Sequence, residues 1–573
     1  MPNLSGAGDR RVGGLDVQDT HRRAYSHCRT ALPAFVMALA ILLCGPAVAQ
    51  NDNVPAQRLV TVDWAGVARD AAALSPTLAA PTPNTDAALL AQGAQELARY
   101  AVADKEALRP LAHLNAFMAP AYPGVQSVPV PVLAPVLADR YLAELARTGL
   151  AAKDASQSFL SSSVARMQFL PKTTGYDAIL TVSPDLLRRL QLENAALTQI
   201  HIGAAALLYD DADRRGAGPD QRGTRVEDND LRASYPDLRR YAAIDEVSYN
   251  FTKYGVIYFA SIACQGESWP ATRVVPCSRT DAILKAALLE LRLIGGAPIA
   301  IAPRAEPEIP RPPIVSPTFK FITPGKLLEG TDQDGLGGVT TKRRWGPANL
   351  IFPIRLPSAF ANSQIFMHGG NCLGQKIPMS NGQYKCRQNQ AKVLEDRENH
   401  LENYDHPWRD TYCEVRDEVG RLPKDCPAGS RAHEGQDIRP RECAFINGRC
   451  KTDLFDVVAV TKGMAMWTAL NHLRLIADDG TTLYYMYLHM SPTGLARAGM
   501  QQEVAVPVVA GQKVGEVSNW WKTDENGTTT HLHFEIRDRS EACGGYGCTR
   551  APYWTLILAY ERLINMRGTE IPQ

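Results

Sequence analysis

Residues 528–538, TTTHLHFEIRD, alternate between polar and apolar side chains, a pattern that predicts a β-strand. Successive side chains of a strand point to opposite faces, so one face is apolar and carries Leu532, Phe534 and Ile536. The other face carries two imidazoles, a carboxylate and a guanidinium, from His531, His533, Glu535 and Arg537. Taken alone, this pattern fits an ordinary half-buried strand as well as one wall of a metal site.

Other short runs of apolar or alternating residues continue this pattern through the C-terminal part of the chain: LFDVVAV, HLRLIAD, TTLYYMYLHM and VPVVAGQKVGEV. Turn residues separate them, and the pattern predicts no helix before YWTLILAYERLI. We therefore expect residues 345–573 to form a mostly antiparallel β-domain.

The N-terminal part has a different pattern. DAALLAQGAQELARYAVADKEALRPLAHL has helical apolar spacing, and the proline-studded APAYPGVQSVPVPVLAPV follows it, so residues 50–156 are predicted to be helical and proline-rich. YDAILTV, TQIHIGAAALLY and GVIYFASIAC predict strands, and RTDAILKAALLELRLIGG predicts a helix closed by glycines. Residues 157–297 are therefore predicted to be an α+β domain of unknown role.

Seven prolines within 298–317 predict a stiff linker, which we place at 298–344. The chain is thus expected to be multi-domain.

The first 49 residues have the features of a secretory signal peptide. Arginines precede the apolar stretch ALPAFVMALAILLCGPAVA, which ends in the small-x-small sequence Ala47-Val48-Ala49. An uncleaved N-terminal anchor is the alternative, and bulky Leu43 disfavours lipid attachment at Cys44. No later segment approaches the ~20 apolar residues of a spanning helix. We expect export to the periplasm or cell envelope.

Cysteine usage agrees with export. Outside the leader the cysteines fall as neighbours along the chain, which predicts the disulfides Cys264/Cys277, Cys372/Cys386, Cys413/Cys426, Cys443/Cys450 and Cys543/Cys548. This pairing is a hypothesis, because sequence does not determine connectivity. The chain contains no C-x-x-C pair, which disfavours a cysteine–zinc site. A net charge of +1 gives no electrostatic case for a nucleic-acid partner.

Two further elements carry candidate ligands. HEGQDIRP supplies His433 and Asp437, and YYMYLHMS ends its alternating run at His489. The first is similar to the helical H-E-x-x-H motif, but its glycine and proline disfavour a regular helix. We therefore predict a loop or strand there, and no general-base role for Glu434. By itself His489 also fits a strand-end histidine that faces solvent.

Together HEGQD, YLHMS, AGQKVGEV and THLHFEIRD resemble the lysostaphin/LytM-type zinc metallopeptidases. That family has H-x-x-x-D, Y-x-H, G-x-x-V/I-G and H-L-H-F-E in the same order. The resemblance covers about residues 345–560 and implies a zinc ion held by His433, Asp437 and His533. Two imidazoles and one carboxylate, with a fourth position open for water, are typical of catalytic zinc.

The resemblance also implies roles for the other histidines. His531 would be the general base for the attacking water, and His489 would donate a hydrogen bond to the developing oxyanion. Glu535 lies on the same strand face and is a candidate for orienting one imidazole, with an ion pair to Arg537 as the alternative.

The sequence departs from the family pattern in two places. SNWWKTDENGTTT replaces a Gly- and Ser-rich loop, and its Trp520 and Trp521 either stack on substrate or pack against the core. A long cysteine-bearing stretch, residues 366–430, precedes the first ligand. We predict that its His400 and His406 are solvated loop residues, and that His472 is a structural histidine in a strand.

Together with the leader and the full ligand set, the resemblance implies an exported zinc metalloendopeptidase that hydrolyses peptide bonds in bacterial peptidoglycan, with its peptide stems or cross-links as partners. The alternatives are a non-catalytic LytM-like activator of a cell-wall amidase and a secreted peptidase that acts on proteins. The N-terminal domain is expected to hold a cell-envelope protein or to block the cleft.

Overall fold

The computed structural model describes the following residues: 55, 57–74, 87–136, 163–195, 198–209, 224–242, 246–264, 274–301, 309–325, 342–355, 359–361, 366–367, 371–372, 375–378, 384–387, 407–412, 415–417, 431–440, 445–446, 449–450, 452–468, 470–521, 525, 528–539 and 548–572. The predicted leader, His400 and His406 lie outside them. In the part of the chain that is described, no helix is long and apolar enough to cross a membrane.

The described helices are α1 Trp64–Leu74, α2 Ala87–Arg99, α3 Arg109–Met118, α4 Pro184–Arg189, α5 Asn229–Ser234, α6 Thr280–Leu289, α7 Pro492–Arg497 and α8 Tyr553–Ile564. The strands up to residue 295 are β1 Gln57–Leu59, β2 Val132–Pro135, β3 Val164–Lys172, β4 Gly175–Val182, β5 Gln199–Ala205, β6 Leu207–Tyr209, β7 Thr224–Arg225, β8 Arg239–Ala242, β9 Glu246–Lys253, β10 Val256–Ala263 and β11 Leu291–Gly295.

The later strands are β12 Val315–Ile322, β13 Ala359–Ala361, β14 Phe366–Met367, β15 Asn371–Cys372, β16 Gln375–Pro378, β17 Tyr384–Arg387, β18 Val415–Asp417, β19 Arg431–Ala432, β20 Gln436–Pro440, β21 Phe445–Ile446, β22 Arg449–Cys450, β23 Asp456–Val458, β24 Gly463–Trp467, β25 Leu473–Ala477, β26 Leu483–Leu488, β27 Ala505–Val508, β28 Lys513–Glu516, β29 Leu532–Asp538, β30 Cys548–Arg550 and β31 Arg567–Ile571.

A seven-stranded antiparallel sheet organises the N-terminal region, in the order β3-β4-β5-β10-β9-β8-β7. Its apolar side chains share one hydrophobic core with α1, α2, α3 and α6. The strands predicted for YDAILTV and GVIYFASIAC are confirmed as β4 and β10. TQIHIGAAALLY forms two strands rather than one, because the ladder is interrupted at Ala206.

The helix predicted for RTDAILKAALLELRLIGG was too long. Helix α6 ends at Leu289, and the next residues form β11, which pairs antiparallel with β2 in the proline-studded stretch. Leu291 and Leu293 are buried in that pairing. These residues form a strand because they pair with β2, which lies more than 150 residues earlier in the chain. The local spacing of apolar residues does not reveal such a distant partner.

The C-terminal region is largely β-sheet, as predicted. Its main sheet has eight antiparallel strands in the order β13-β20-β29-β26-β25-β24-β27, with β30 paired to β29. The apolar face of β29, with Leu532, Phe534 and Ile536, is buried in a second hydrophobic core together with α8. The expectation of no helix before α8 was wrong, since α7 begins at Pro492, capped by the Ser491 hydroxyl.

Residues Asn51–Gln573 form one compact unit, in which the N-terminal sheet packs against the C-terminal sheet. The contact includes a small apolar cluster, Ile179 with Met466, Ile476 and Ala505. Next to it lie buried ion pairs, in which Asp177 and Glu246 of the N-terminal sheet contact arginines of the C-terminal one. The predicted linker is itself fixed in part, because Arg311 within it pairs with buried Glu561.

The predicted disulfide Cys264–Cys277 is confirmed, and its cysteines are 13 positions apart in sequence. The side chains of the other predicted pairs lie outside the described residues. Replacing both cysteines by alanine is expected to destabilise the N-terminal region by about 3 kcal/mol, because a cross-link of this span restricts the unfolded chain. Urea unfolding of the wild type and the double variant, both without reductant, measures the difference. Equal midpoints would contradict it.

Candidate metal centre

Strand β29 lies between β20 and β26, and this arrangement assembles the site. The β20–β29 register sets Asp437 directly opposite His533, and the β26–β29 register sets Leu488 opposite the same histidine. His433 lies just before β20, and His489 lies just after β26. Three separate stretches of chain therefore place their polar side chains around the first half of β29. HEGQDIRP is a loop and strand rather than a helix, as predicted.

Three donor atoms converge at the centre of this group. His433 Nε2 lies 2.7 Å from His533 Nδ1, and Asp437 Oδ1 lies 3.0 Å from His533 Nδ1 and 3.1 Å from His433 Nε2. Zinc–nitrogen and zinc–oxygen bonds of about 2.0–2.2 Å place tetrahedral ligand atoms about 3.3 Å apart. If these three ligand atoms moved apart slightly, one metal ion would fit between them. His433, Asp437 and His533 form a buried group that can hold a metal ion.

Hydrogen bonds fix which nitrogen of each imidazole faces the centre. His433 Nδ1 lies 2.8 Å from the Thr411 carbonyl oxygen, so it donates there and leaves Nε2 as the lone-pair nitrogen. His533 Nε2 lies 2.9 Å from Glu535 Oε1, so it donates to that carboxylate and leaves Nδ1. Partners of this kind orient metal-binding histidines and raise their basicity. Glu535 also accepts from Arg537, so both predicted contacts of Glu535 are made.

Gly435 allows β20 to approach β29 this closely. A Cβ atom at residue 435 would lie 2.7 Å from His533 Nε2 and 2.8 Å from Glu535 Cγ. Both distances are shorter than carbon contacts permit, and the neighbouring Phe534 carbonyl oxygen is closer still, at 2.5 Å. A side chain at residue 435 would therefore push apart the hydrogen bond that orients His533.

His531 is fully buried beside the three donor atoms. Its Nδ1 lies 2.7 Å from the Thr529 carbonyl oxygen and donates there. Its Nε2 lies 3.4 Å from Asp437 Oδ1 and has no hydrogen-bond partner among the described residues. Buried polar atoms usually have a partner, so an unpaired lone pair at this place is suited to a small ligand such as water.

His489 closes the group from the end of β26. Its ring centroid lies 4.5 Å from that of His531 and 5.8 Å from that of His533. Its Nδ1 lies 2.8 Å from the Trp520 carbonyl oxygen, and the Trp521 ring stacks on it at 5.4 Å. The backbone φ of His489 is 66°, in the left-handed region that non-glycine residues rarely adopt.

The charges of the site favour a cation. Burial lowers the pKa of His533, but the carboxylates of Asp437 and Glu535 outweigh it and raise that pKa to about 9. Burial lowers the pKa of His531, although Asp437 opposes this. Burial, followed by the charges of His531 and His533, holds the pKa of His489 well below its usual range. A metal ion competes with the His533 proton for the same Nδ1 lone pair.

No protein-family model, curated protein or solved structure matches this chain.

The six residues predicted for the site lie together: His433, Asp437, His489, His531, His533 and Glu535. Glu434 lies beside them and its carboxylate is 3.8 Å from Arg537. His472, predicted to lie in a strand, is buried and directly precedes β25, and His201 is buried in the N-terminal sheet. Trp520 and Trp521 are half-buried.

The sequence did not reveal the segment 407–412, which supports His433. Gln436 accepts from the Thr411 backbone N–H at 3.1 Å and donates to the Arg409 carbonyl oxygen at 3.0 Å. Within this segment the buried carboxylate of Asp410 accepts from the backbone N–H groups of Gly325 and Tyr412. Thr411 acts through its backbone carbonyl, so its side chain gave no signal.

Burial raises the pKa of Asp410 to about 7, against its backbone hydrogen bonds. The folded protein therefore binds the Asp410 proton more tightly than the unfolded chain does. The resulting contribution to the free energy of unfolding is fully present below about pH 4 and is lost as the pH rises through 7. We expect this group to reduce the free energy of unfolding by roughly 4 kcal/mol between pH 4 and pH 8.

Urea unfolding at a series of pH values should show this slope in the wild type and a flatter one in Asp410→Asn. Asp185→Asn is the control, because its carboxylate is exposed on α4. If Asp410→Asn kept the wild-type slope, Asp410 would not be the titrating group.

Proposed function

We propose that this protein is an exported zinc metalloendopeptidase of the lysostaphin/LytM type that hydrolyses peptide bonds in bacterial peptidoglycan. The convergence of His433 Nε2, His533 Nδ1 and Asp437 Oδ1, beside two further buried imidazoles, carries the proposal. A structural zinc site would use four protein ligands, whereas three ligands leave a position for water or substrate.

The two additional histidines have positions suited to different parts of peptide hydrolysis. Zinc held by the three ligands would polarise the scissile carbonyl and lower the pKa of a water molecule. His531 presents Nε2 to the site and accepts the proton that the attacking water loses. His489 donates its Nδ1–H to the Trp520 carbonyl oxygen, so it would donate from Nε2 to the developing oxyanion as the imidazolium, a form that the negative charge of the oxyanion favours.

The cell-wall substrate rests on the family resemblance and the leader. Trp521 supports it further, because its half-buried ring stacks on His489 and extends the site with an aromatic surface. Such a surface suits the packing of a peptide stem or a sugar ring. The leader supports action in the periplasm or cell envelope, where peptidoglycan is located.

Zinc content is the first test of the proposal. Purified mature protein should contain one zinc per chain by elemental analysis, and His533→Ala should lose both the metal and activity, because it removes a ligand. His472→Gln is the control, since this buried histidine directly precedes β25 and is not one of the three proposed ligands. Absence of stoichiometric zinc in the wild type would overturn the proposal, as would full activity of His533→Ala.

The general-base assignment is tested separately. His531→Ala should keep zinc but lose at least about 100-fold in turnover, because general-base catalysis typically contributes that much or more. His489→Ala should also keep zinc and lose turnover, through loss of the oxyanion donor. Zinc content and hydrolysis rates are measured on the same preparations. Undiminished turnover in His531→Ala would reject the assignment.

Mass spectrometry of digested peptidoglycan identifies the substrate. Wild type should release muropeptides whose masses show cleavage of a peptide bond, and it should leave an unstructured protein substrate intact. Cleavage of the protein alone would favour a secreted protease. If neither were cut, while a cell-wall amidase became more active when mixed with the protein, a non-catalytic activator would replace the proposal.

A further inference from the structure

A carboxylate of the N-terminal sheet lies close to the candidate metal centre. Glu246 is the first residue of β9, and its side chain is buried at the contact between the two sheets. Its Oε2 lies 3.3 Å from a terminal guanidinium nitrogen of Arg537 and 3.3 Å from one of Arg474. Both arginines are buried and belong to the C-terminal sheet. One carboxylate oxygen from one region thus contacts two cations of the other.

Arg537 in turn contacts the residue that orients a metal ligand. Its Nε donates to Glu535 Oε2, Nη1 faces Glu246, and Nη2 lies 3.8 Å from Glu434 Oε2. Glu535 uses its other oxygen to accept from His533 Nε2 at 2.9 Å. The Arg537 guanidinium therefore links Glu246 of the N-terminal sheet to Glu535, the hydrogen-bond partner of His533.

We propose that Glu246 is a positioning residue of the metal centre, acting through Arg537 and Glu535 on His533. The N-terminal region would then be a structural part of the centre and would tune its affinity for metal. This inference rests on the proposed function, because it takes His433, Asp437 and His533 as the metal ligands.

The direction of the effect follows from charge. Glu246 and Glu535 share the positive charge of Arg537, so without Glu246 the guanidinium is drawn more strongly to Glu535. Glu535 then becomes a weaker acceptor for the His533 N–H, and the lone pair at Nδ1 becomes less basic. Weaker metal binding is the result. Loss of the Glu246 contact also allows the guanidinium to turn and move Glu535 with it.

The experiment measures the zinc dissociation constant of the full mature chain by competition with a chromogenic chelator. Replacing a group that orients a ligand typically costs about 10–100-fold in metal affinity, which is our expectation for Glu535→Gln. Glu246→Gln acts one contact further away, so we expect a smaller loss of about 3–10-fold. Co²⁺-substituted protein gives a second readout, since its visible absorption bands should shift in Glu246→Gln if the geometry of His533 changes.

Asp177→Asn is the matched control. Asp177 is also a buried carboxylate of the N-terminal sheet, and it pairs with Arg539, two residues beyond Arg537. Its removal weakens the same contact between the sheets by one charge, but Asp177 reaches Glu246 through His201 and Arg474 and is therefore further from His533 than Glu246 is. We expect Asp177→Asn to change the zinc dissociation constant and the cobalt spectrum much less than Glu246→Gln does.

A double-variant cycle separates positioning from long-range electrostatics. If Glu246 acts through Glu535, Glu246→Gln should cause no further loss of affinity in a Glu535→Gln background. An additive loss would overturn the proposed route. Glu246→Asp keeps the charge but shortens the side chain, so it provides a second test if Glu246→Gln does not fold, and we expect about half the loss on a logarithmic scale.

The outcomes distinguish the two proposals. A wild type that holds no zinc would reject the proposed function. A wild type that holds zinc with a dissociation constant unaffected by Glu246→Gln or Glu246→Asp would reject only the positioning role. Equal losses in Glu246→Gln and Asp177→Asn would also reject it, because they would show a general effect of the contact between the sheets.

Discussion

The antiparallel pairing of β20 with β29 is the constraint on which the candidate centre depends. Asp437 and His533 are 96 residues apart in sequence, and only this register brings them together. Side chains alternate along both strands, so a slip by one residue would turn Asp437 away and set a core residue in its place. The apolar residues of β29 prevent that slip, because Leu532, Phe534 and Ile536 fill the hydrophobic core on the opposite face. Core packing on one side of the strand thereby specifies chemistry on the other.

The polar face of β29 imposes a second requirement, because its charged groups are buried. An unpaired buried charge is far more costly than an unpaired exposed one, so such groups need partners on every side. Glu535 has His533 and Arg537, and Arg537 has Glu246 from the N-terminal sheet. The contact between the two sheets is therefore specified by charge as well as by apolar area. An apolar contact alone would tolerate sliding, whereas paired carboxylates and guanidinium groups define one relative position.

Local patterns predicted much of this arrangement, and contacts distant in sequence account for what they missed. Strand β29 follows from its alternation, and the grouping of His433, Asp437 and His489 around it came from a motif resemblance. Strand β11 was predicted as helix, because the apolar spacing of its residues is compatible with both structures and pairing with β2 decides between them. Helix α7 was missed although its Ser491-Pro492 start signal was present in the sequence. The Thr411 carbonyl belongs to the backbone, which has no side-chain signature.

The contact between Glu246 and Arg537 spans 291 positions of the chain. Contacts of large sequence separation form late in folding, after local hairpins and helices have reduced the cost of closing the loop. The N-terminal sheet can build most of its ladder from neighbouring segments, but β29 meets Glu246 only after the chain has been synthesised beyond Arg537. A chain that folds while it is being synthesised would thus complete this charge contact late. The formation of this contact therefore depends on the folding of both sheets.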